Sequence, residues 1–185
     1  MTVPYAPMTV EEFLALPDED MDRELIRGTL REKQKTYHSR HHAKTEANLI
    51  GLLGRWLELQ GPVRGELHSG DVGCILRRNP DTMVGVDVAY FSAAQLARQP
   101  RQSPWLEVPP TLAIKIREAT DADEALHEKV GEYLLAGVPL VWLVDPAHQT
   151  ITHFSPGVEP RLFNVTEELS ADPHLPGFRA TAVFE

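Results

Sequence analysis

The chain has 185 residues, of which 24% are charged, and its 18 basic and 27 acidic side chains give a formal net charge of −9. These values are ordinary for a globular protein and exclude an intrinsically disordered chain or a fibrous repeat. The single cysteine excludes an intramolecular disulfide framework and favours a reducing compartment. The N-terminal stretch lacks a signal-peptide pattern, and no apolar run approaches the roughly 18 residues of a membrane span, so we expect a cytoplasmic protein with no membrane partner.

The first half of the chain predicts a short helix, a hairpin, a long helix and several strands. Thr9 and Glu12 have the spacing of a helix capping box, and Gly28 marks the turn between two short strands. Apolar residues recur at three- and four-residue steps from His38 to Leu59, which predicts a long helix. Strands are predicted at Val63–Leu67, Val72–Leu76 and Val84–Phe91.

The second half predicts a strand, a helix and a hairpin, followed by a tail rich in turn residues. These are a strand at Leu112–Ile116, a helix from a capping box at Thr120 and Asp123 to about Ala136, strands at Leu140–Val144 and Thr150–Phe154, and a periodic signal at Ala180–Phe184. We expect a single domain over residues 1–185, of the α/β class, with a mixed central sheet flanked by helices.

Two predicted strands carry charged side chains among apolar residues. Alternation places Asp87 on one face of its strand with Ala89 and Phe91, opposite Val86, Val88 and Tyr90. It places Lys115 on the face of the next strand that also carries Arg117. Buried charges must be paired, hydrogen-bonded or bound to a metal, so a structural salt bridge and a functional site both stay open.

Lys129 lies at the edge of the inward-facing stripe of the following helix. A lysine at such a position either extends outward along its methylene groups or points into a site at the edge of the sheet.

One segment of this acidic chain is basic. From Arg27 to Lys44 there are six basic residues and one acid, a local charge of 6 − 1 = +5, so the remainder carries −9 − 5 = −14. Nucleic-acid binding by an acidic protein needs such a local patch. The alternative is a solvated hairpin and helix start. The candidate phosphate contacts are Arg31, Lys33, Lys35, Arg40 and Lys44.

Three other kinds of site have weaker support. His38, His41 and His42 have helical spacing, but three neighbouring histidines at one helix start rarely complete a zinc site, so contact with solvent or phosphate is favoured. Cys74 lies in an apolar strand and is predicted to be an inert core thiol. The sequence has no glycine-rich phosphate loop, so we expect no nucleotide cofactor.

Five segments, taken together, match a known pattern. They are Arg-Glu-Leu-Ile-Arg-Gly-Thr-Leu at 23–30, Gly-Asp-Val-Gly at 70–73, Val-Asp-Val-Ala at 86–89, Pro-Pro-Thr-Leu-Ala-Ile-Lys-Ile at 109–116, and the block at 129–146 that begins Lys-Val-Gly-Glu-Tyr and ends Val-Trp-Leu-Val-Asp-Pro. From about residue 9 to 154 the chain resembles the Uma-type "putative restriction endonuclease" family of the PD-(D/E)xK nuclease superfamily. The resemblance implies a restriction-endonuclease-like sheet in this nuclease-like core, with 155–185 as a tail.

The resemblance also implies a metal-dependent DNA endonuclease. In that family, acidic side chains hold Mg²⁺ or Mn²⁺, and the metal activates the attacking water. Asp87 matches the principal metal ligand, Glu24 a second acidic ligand, and Lys129 the lysine that orients the water. A two-fold homodimer would suit an enzyme that cuts both strands.

The chain departs from the pattern at one central position. Lys115 stands where the resemblance predicts a metal-binding glutamate, and an ammonium group cannot bind Mg²⁺. In one state, Lys115 pairs with Asp87 or Glu24 and metal binding is lost. In the other, Glu118 or Asp71 replaces the missing acid.

These two states predict different functions. The first predicts a non-catalytic protein that binds nucleic acid or forms homodimers, and the second predicts a DNA endonuclease. A purely structural homo-oligomer is a third reading.

Overall fold

The computed structural model describes residues 6–17, 19–181 and 183–184. Its helices are α1 (Val10–Leu14), α2 (Arg40–Glu58), α3 (Ala93–Leu96) and α4 (Asp123–Leu135). Its strands are β1 (Met21–Ile26), β2 (Thr29–Gln34), β3 (Glu66–Arg77), β4 (Thr82–Phe91), β5 (Leu112–Ile116), β6 (Leu140–Asp145), β7 (Thr150–Ser155), β8 (Val158–Asn164), β9 (Leu169–Ser170) and β10 (Arg179–Ala180). No helix in these ranges is long and apolar enough to cross a membrane.

Eight of the strands form one mixed sheet. Seven follow the order β2-β1-β4-β5-β6-β7-β8, and β3 also pairs with β4. The pair β5 and β6 is parallel and is joined through α4, whereas the other pairs are antiparallel. This arrangement confirms the predicted α/β fold with a mixed sheet flanked by helices.

The two faces of the sheet are covered by different parts of the chain. Leu53 and Trp56 of α2 pack with Trp142 and with the tail residue Phe178 on one face. On the other face, Val130 and Tyr133 of α4 pack against β3, β4 and β6. The predicted tail is therefore part of the core, and it also supplies β8, which the periodicity did not indicate.

Two predictions of element boundaries are wrong. The strands predicted on either side of residue 70 are one strand, β3, with a register shift between Ser69 and Val72. Gly70 and Asp71 both have positive φ there, 86° and 57°. This insertion keeps the strand paired while it bends, as a β-bulge does.

Helix α4 begins later than predicted. Its N-cap is Ala122, which forms no side-chain cap hydrogen bond, so the predicted box at Thr120 does not form. Asp123 instead accepts a hydrogen bond from Arg117.

The face prediction for β4 is also incorrect at Val86, which packs in the same cluster as Ala89.

Candidate functional site

Asp87 lies at a gap between two partners of the same strand. On one edge, β4 meets β1 at Met83 and pairs with β5 only from Val88 onward. In the gap, the Oδ2 atom of Asp87 accepts a hydrogen bond of 2.5 Å from the backbone N–H of Ile116. A side chain thus supplies the acceptor that β4 backbone would otherwise provide, and Asp87 is only 3% exposed.

Lys115 closes this site by pairing with Asp87. Its Nζ atom lies 3.0 Å from Oδ2 and 3.4 Å from Oδ1 of Asp87, and 3.9 Å from Oδ2 of Asp121. Burial alone would raise the pKa of Asp87, but Lys115, Lys129 and the Ile116 N–H outweigh burial and hold that pKa below its ordinary 3.8. Asp87 is therefore an ionised carboxylate at neutral pH.

Lys129 points inward and forms an ion pair with Glu24 of β1. Burial would lower the pKa of Lys129, but the nearby negative charges of Glu24 and Asp87 contribute to raising it above 10.5. Of the two orientations open to Lys129 from the sequence, the structure has the one directed into the site. The four predicted residues Asp87, Lys115, Glu24 and Lys129 thus form two neighbouring lysine–carboxylate pairs.

The donor set around Asp87 does not fit Mg²⁺ or Mn²⁺. Hard divalent cations need several oxygen ligands, and the carboxylates of Asp87 and Glu24 are both paired with lysines. Two unit charges 4 Å apart interact by about 4 kcal/mol near a protein surface, and a divalent ion doubles this. An ion bound to Asp87 would meet that repulsion from Lys115.

Among the described residues, neither acid considered as a substitute joins Asp87 in a cluster of three possible metal ligands. Glu118 accepts a hydrogen bond of 3.0 Å from the backbone N–H of Ser39, at the start of α2. The carboxylate of Asp71 lies against Gly85, where an added Cβ would come within 1.9 Å of its Oδ1 atom. Gly85 is therefore required at this position because the bulge turns Asp71 onto β4.

Two further acids near the site were not singled out from the sequence. Asp121 lies between Lys115 and Lys33, with its Oδ1 atom 3.5 Å from Nζ of Lys33. Glu46 of α2 accepts a hydrogen bond of 3.0 Å from Gly70 N–H. Burial raises the pKa of Glu46, with a smaller contribution from the negative charge of Asp87. The only sequence signal for Glu46 is its position one turn after His42.

The basic segment lies beside this site. Arg31 pairs with Glu128 of α4 at 3.1 Å, and Lys33 pairs with Asp121, so two of the five predicted phosphate contacts already have acidic partners. Within the described ranges, the other three form no ion pair and are exposed: Lys35, Arg40 and Lys44.

The histidines are arranged differently from the prediction. His38 precedes the N-cap Ser39 and stacks on His42 with ring centroids 4.1 Å apart, while His41 is exposed. The third member of their cluster is Glu118 rather than His41. Cys74 is buried, which confirms that it is a core thiol, and burial raises its pKa to about 12.

Comparisons with known proteins agree with this architecture. The family model Uma2, described as "Putative restriction endonuclease", matches residues 10–183. A crystal structure described as a putative nuclease belonging to DUF820 from Anabaena variabilis ATCC 29413 superposes with a TM-score of 0.78, at 17% identity and over 95% of each chain. No curated protein matches the chain. The predicted resemblance and fold are confirmed, and the match extends through the tail.

Proposed function

The chain belongs to the Uma2 family, described as "Putative restriction endonuclease", and from this premise we propose that it is a nuclease-type protein that binds DNA without hydrolysing it at Asp87. The observation that carries the proposal is the buried ion pair between Lys115 and Asp87. Lys115 occupies the position at which the family resemblance predicts an acidic ligand.

The cost of opening this pair explains why we expect no hydrolysis. Separating a buried ion pair leaves an uncompensated charge and costs about 3–5 kcal/mol. Every 1.4 kcal/mol is a tenfold change in affinity, so Mg²⁺ or Mn²⁺ would bind at least about a hundredfold more weakly than at an open acidic site. Lys115 would still occupy the place of one ligand after the pair had opened.

DNA binding is supported by the exposed positive charges of the basic segment. Lys35, Arg40 and Lys44 lie at the end of β2 and in the first turns of α2. Phosphate contacts by such residues supply most of the affinity for nucleic acid when sequence is not read. The surrounding charge of −14 restricts this contact to the basic segment.

An active metal-dependent endonuclease is the second candidate. It is favoured by the proximity of Glu24, Lys129 and Asp87, which match the acidic ligands and the water-orienting lysine of the family pattern. In this candidate, Asp87 and Glu24 would hold Mg²⁺ or Mn²⁺ after both lysines had moved. Homodimer formation is a prediction of both candidates, and light scattering would test it.

Cleavage of plasmid DNA with Mg²⁺ or Mn²⁺ distinguishes the two candidates. We expect no cleavage by the parent protein and cleavage by Lys115→Glu, which restores an acid beside Asp87. Adding Asp87→Ala to Lys115→Glu should abolish the gained activity. Cleavage by the parent that disappears in Asp87→Ala would establish the active enzyme and overturn the proposal.

DNA binding is tested separately by fluorescence anisotropy with a labelled duplex. The triple variant with Lys35, Arg40 and Lys44 changed to Ala should bind more weakly, and each lost phosphate contact should flatten the log–log salt dependence by about 0.9. A triple variant with Arg55, Arg98 and Arg101 changed to Ala has the same change in net charge and serves as the matched control. Equal weakening in both variants would argue against the basic segment as the contact surface.

A further inference from the structure

Beside the Asp87 pair lies a second cluster of metal-ligating side chains, formed by His38, His42 and Glu118. Their ligand atoms all lie within 4.8 Å of one another. The Oε1 atom of Glu118 is 3.3 Å from Nδ1 of His38 and 3.1 Å from Nδ1 of His42. His38 and His42 lie on either side of the N-cap of α2, and Glu118 follows β5, so two segments distant in the chain meet there.

The state of His42 points to a ligand. The residue is 1% exposed, yet neither of its ring nitrogens forms a hydrogen bond within the described part of the chain. Glu118 lies close to Nδ1 but outside the direction that a hydrogen bond requires. A buried polar group without a partner costs about 1–3 kcal/mol, and a metal ion on Nδ1 would remove that cost.

The protonation state of His42 suits metal binding. Burial lowers the pKa of His42 below its ordinary 6.5, and this effect exceeds the opposing influence of Asp87. The imidazole is therefore neutral at neutral pH, which is the form that binds metals. Glu118 is held in place by the backbone N–H of Ser39, as ligating carboxylates commonly are by hydrogen bonds outside the metal's own shell.

We propose that His38, His42 and Glu118 bind a first-row transition-metal ion of the Zn²⁺ type. Two imidazole nitrogens and one carboxylate oxygen suit Zn²⁺ and its neighbours, whereas Mg²⁺ and Ca²⁺ prefer oxygen ligands alone. Three protein ligands leave the fourth tetrahedral position to water or to a bound anion. The inference goes beyond the proposed function and does not depend on whether Asp87 supports hydrolysis.

Metal binding is measured on the folded protein by competition with a chromogenic Zn²⁺ chelator and by the visible spectrum of bound Co²⁺. We expect one ion per chain and a Co²⁺ spectrum of four-coordinate type. His38→Ala and Glu118→Gln should each weaken Zn²⁺ binding at least tenfold. Both side chains are partly exposed, so these variants should keep the fold, whereas a change at the buried His42 would test folding as well.

His41→Ala is the matched control because His41 is exposed, lies in the same helical turn and is not a member of the cluster. It should bind Zn²⁺ as the parent protein does. Absence of Zn²⁺ binding by the parent, or unchanged affinity in both His38→Ala and Glu118→Gln, would overturn the proposal. Circular dichroism of each variant confirms that a loss of binding is not a loss of structure.

Discussion

Two buried acids of this protein are neutralised in different ways. Glu132 of α4, 1% exposed, is held by Arg27 at 2.6 Å and Arg77 at 2.8 Å, and these side chains are 57% and 30% exposed. Asp87 is held mainly by Lys115, whose side chain is only 10% exposed. The cations around Glu132 therefore keep contact with water, whereas the cation beside Asp87 has lost most of it.

We expect burial of the cation, rather than of the acid, to set the cost of breaking each pair. Guanidinium groups reach Glu132 from the surface and can return to water if the acid is removed. The Lys115 ammonium group cannot return to water in this way, because Lys115 belongs to the buried strand β5. The Glu132 cluster accordingly has a structural role, because it joins Arg27 and Arg77 to α4. The Asp87 pair lies instead at the position where the family pattern predicts metal ligands.

Asp87→Ala should have the largest effect on stability. It leaves the Lys115 ammonium buried and removes the acceptor of the Ile116 N–H, so we expect a loss of about 3–5 kcal/mol in the free energy of unfolding. Urea denaturation followed by circular dichroism measures it. The double variant Asp87→Ala with Lys115→Met should recover much of the loss, and failure to recover would mean that the pair is not the cause.

Glu132→Gln should have a smaller effect, about 2 kcal/mol, because Arg27 and Arg77 remain partly hydrated and the amide keeps one acceptor. The same denaturation experiment checks the value. A loss equal to that of Asp87→Ala would contradict the role assigned to cation burial.

Ser39→Ala should cost about 1 kcal/mol, because the Ser39 hydroxyl accepts the backbone N–H of His42 at the start of α2. The control is Ser92→Ala, which removes the equivalent cap from the four-residue helix α3 and should cost less. Thermal unfolding of both variants compares them. Equal effects would show that the first turn of α2 contributes no more than an isolated short helix.

The smallest expected effect is on the acid limb of the stability curve. The pKa of Asp87 is lower in the folded chain than its ordinary 3.8. Ionised Asp87 therefore contributes its full stabilisation at pH values above 3.8. This stabilisation is lost as the pH falls from 3.8 through the lower pKa of the folded chain. In this pH range, the Asp87→Asn variant should take up fewer protons on unfolding than the parent protein, by up to about one, so its free energy of unfolding should depend less steeply on pH. Denaturation at a series of pH values below 4 measures the slope, and an unchanged slope would contradict the lowered pKa.

Local sequence patterns were sufficient for most of the sheet and helices. The capping box at Thr9, the turn at Gly28 and the apolar stripe of α2 are each specified by neighbouring residues, and the structure contains all three. Strand β8 was missed because Val158–Asn164 lies at the sheet edge with mostly exposed side chains, so it has no alternating pattern. The burial of Phe178 depends on distant partners in α2 and β6.

In the candidate site too, individual residues were predictable from their local surroundings, whereas contacts between distant segments were not. Asp87 and Lys115 were recognisable because each is charged within an apolar strand, and Lys129 because it lies at the edge of the apolar stripe of its helix, whereas Glu24 came from the family resemblance alone. The contact of Glu118 with His38 and His42 was not predictable, since it joins residues about 80 positions apart. Neither hydrophobic periodicity nor a local motif indicates which loop packs against the start of a helix.

Because the tail packs against α2, the core around α2 can be completed only at the end of synthesis. The indole N–H of Trp56 donates to the carbonyl of Pro176, 120 residues later in the chain. At roughly 5–20 residues per second, the apolar stripe of α2 waits on the order of ten seconds for this partner. The ribosome therefore delivers the sheet and α2, with the apolar residues between them only partly covered, before it delivers the tail segment that completes this core. Chains stopped short of that segment would present this face to one another and aggregate.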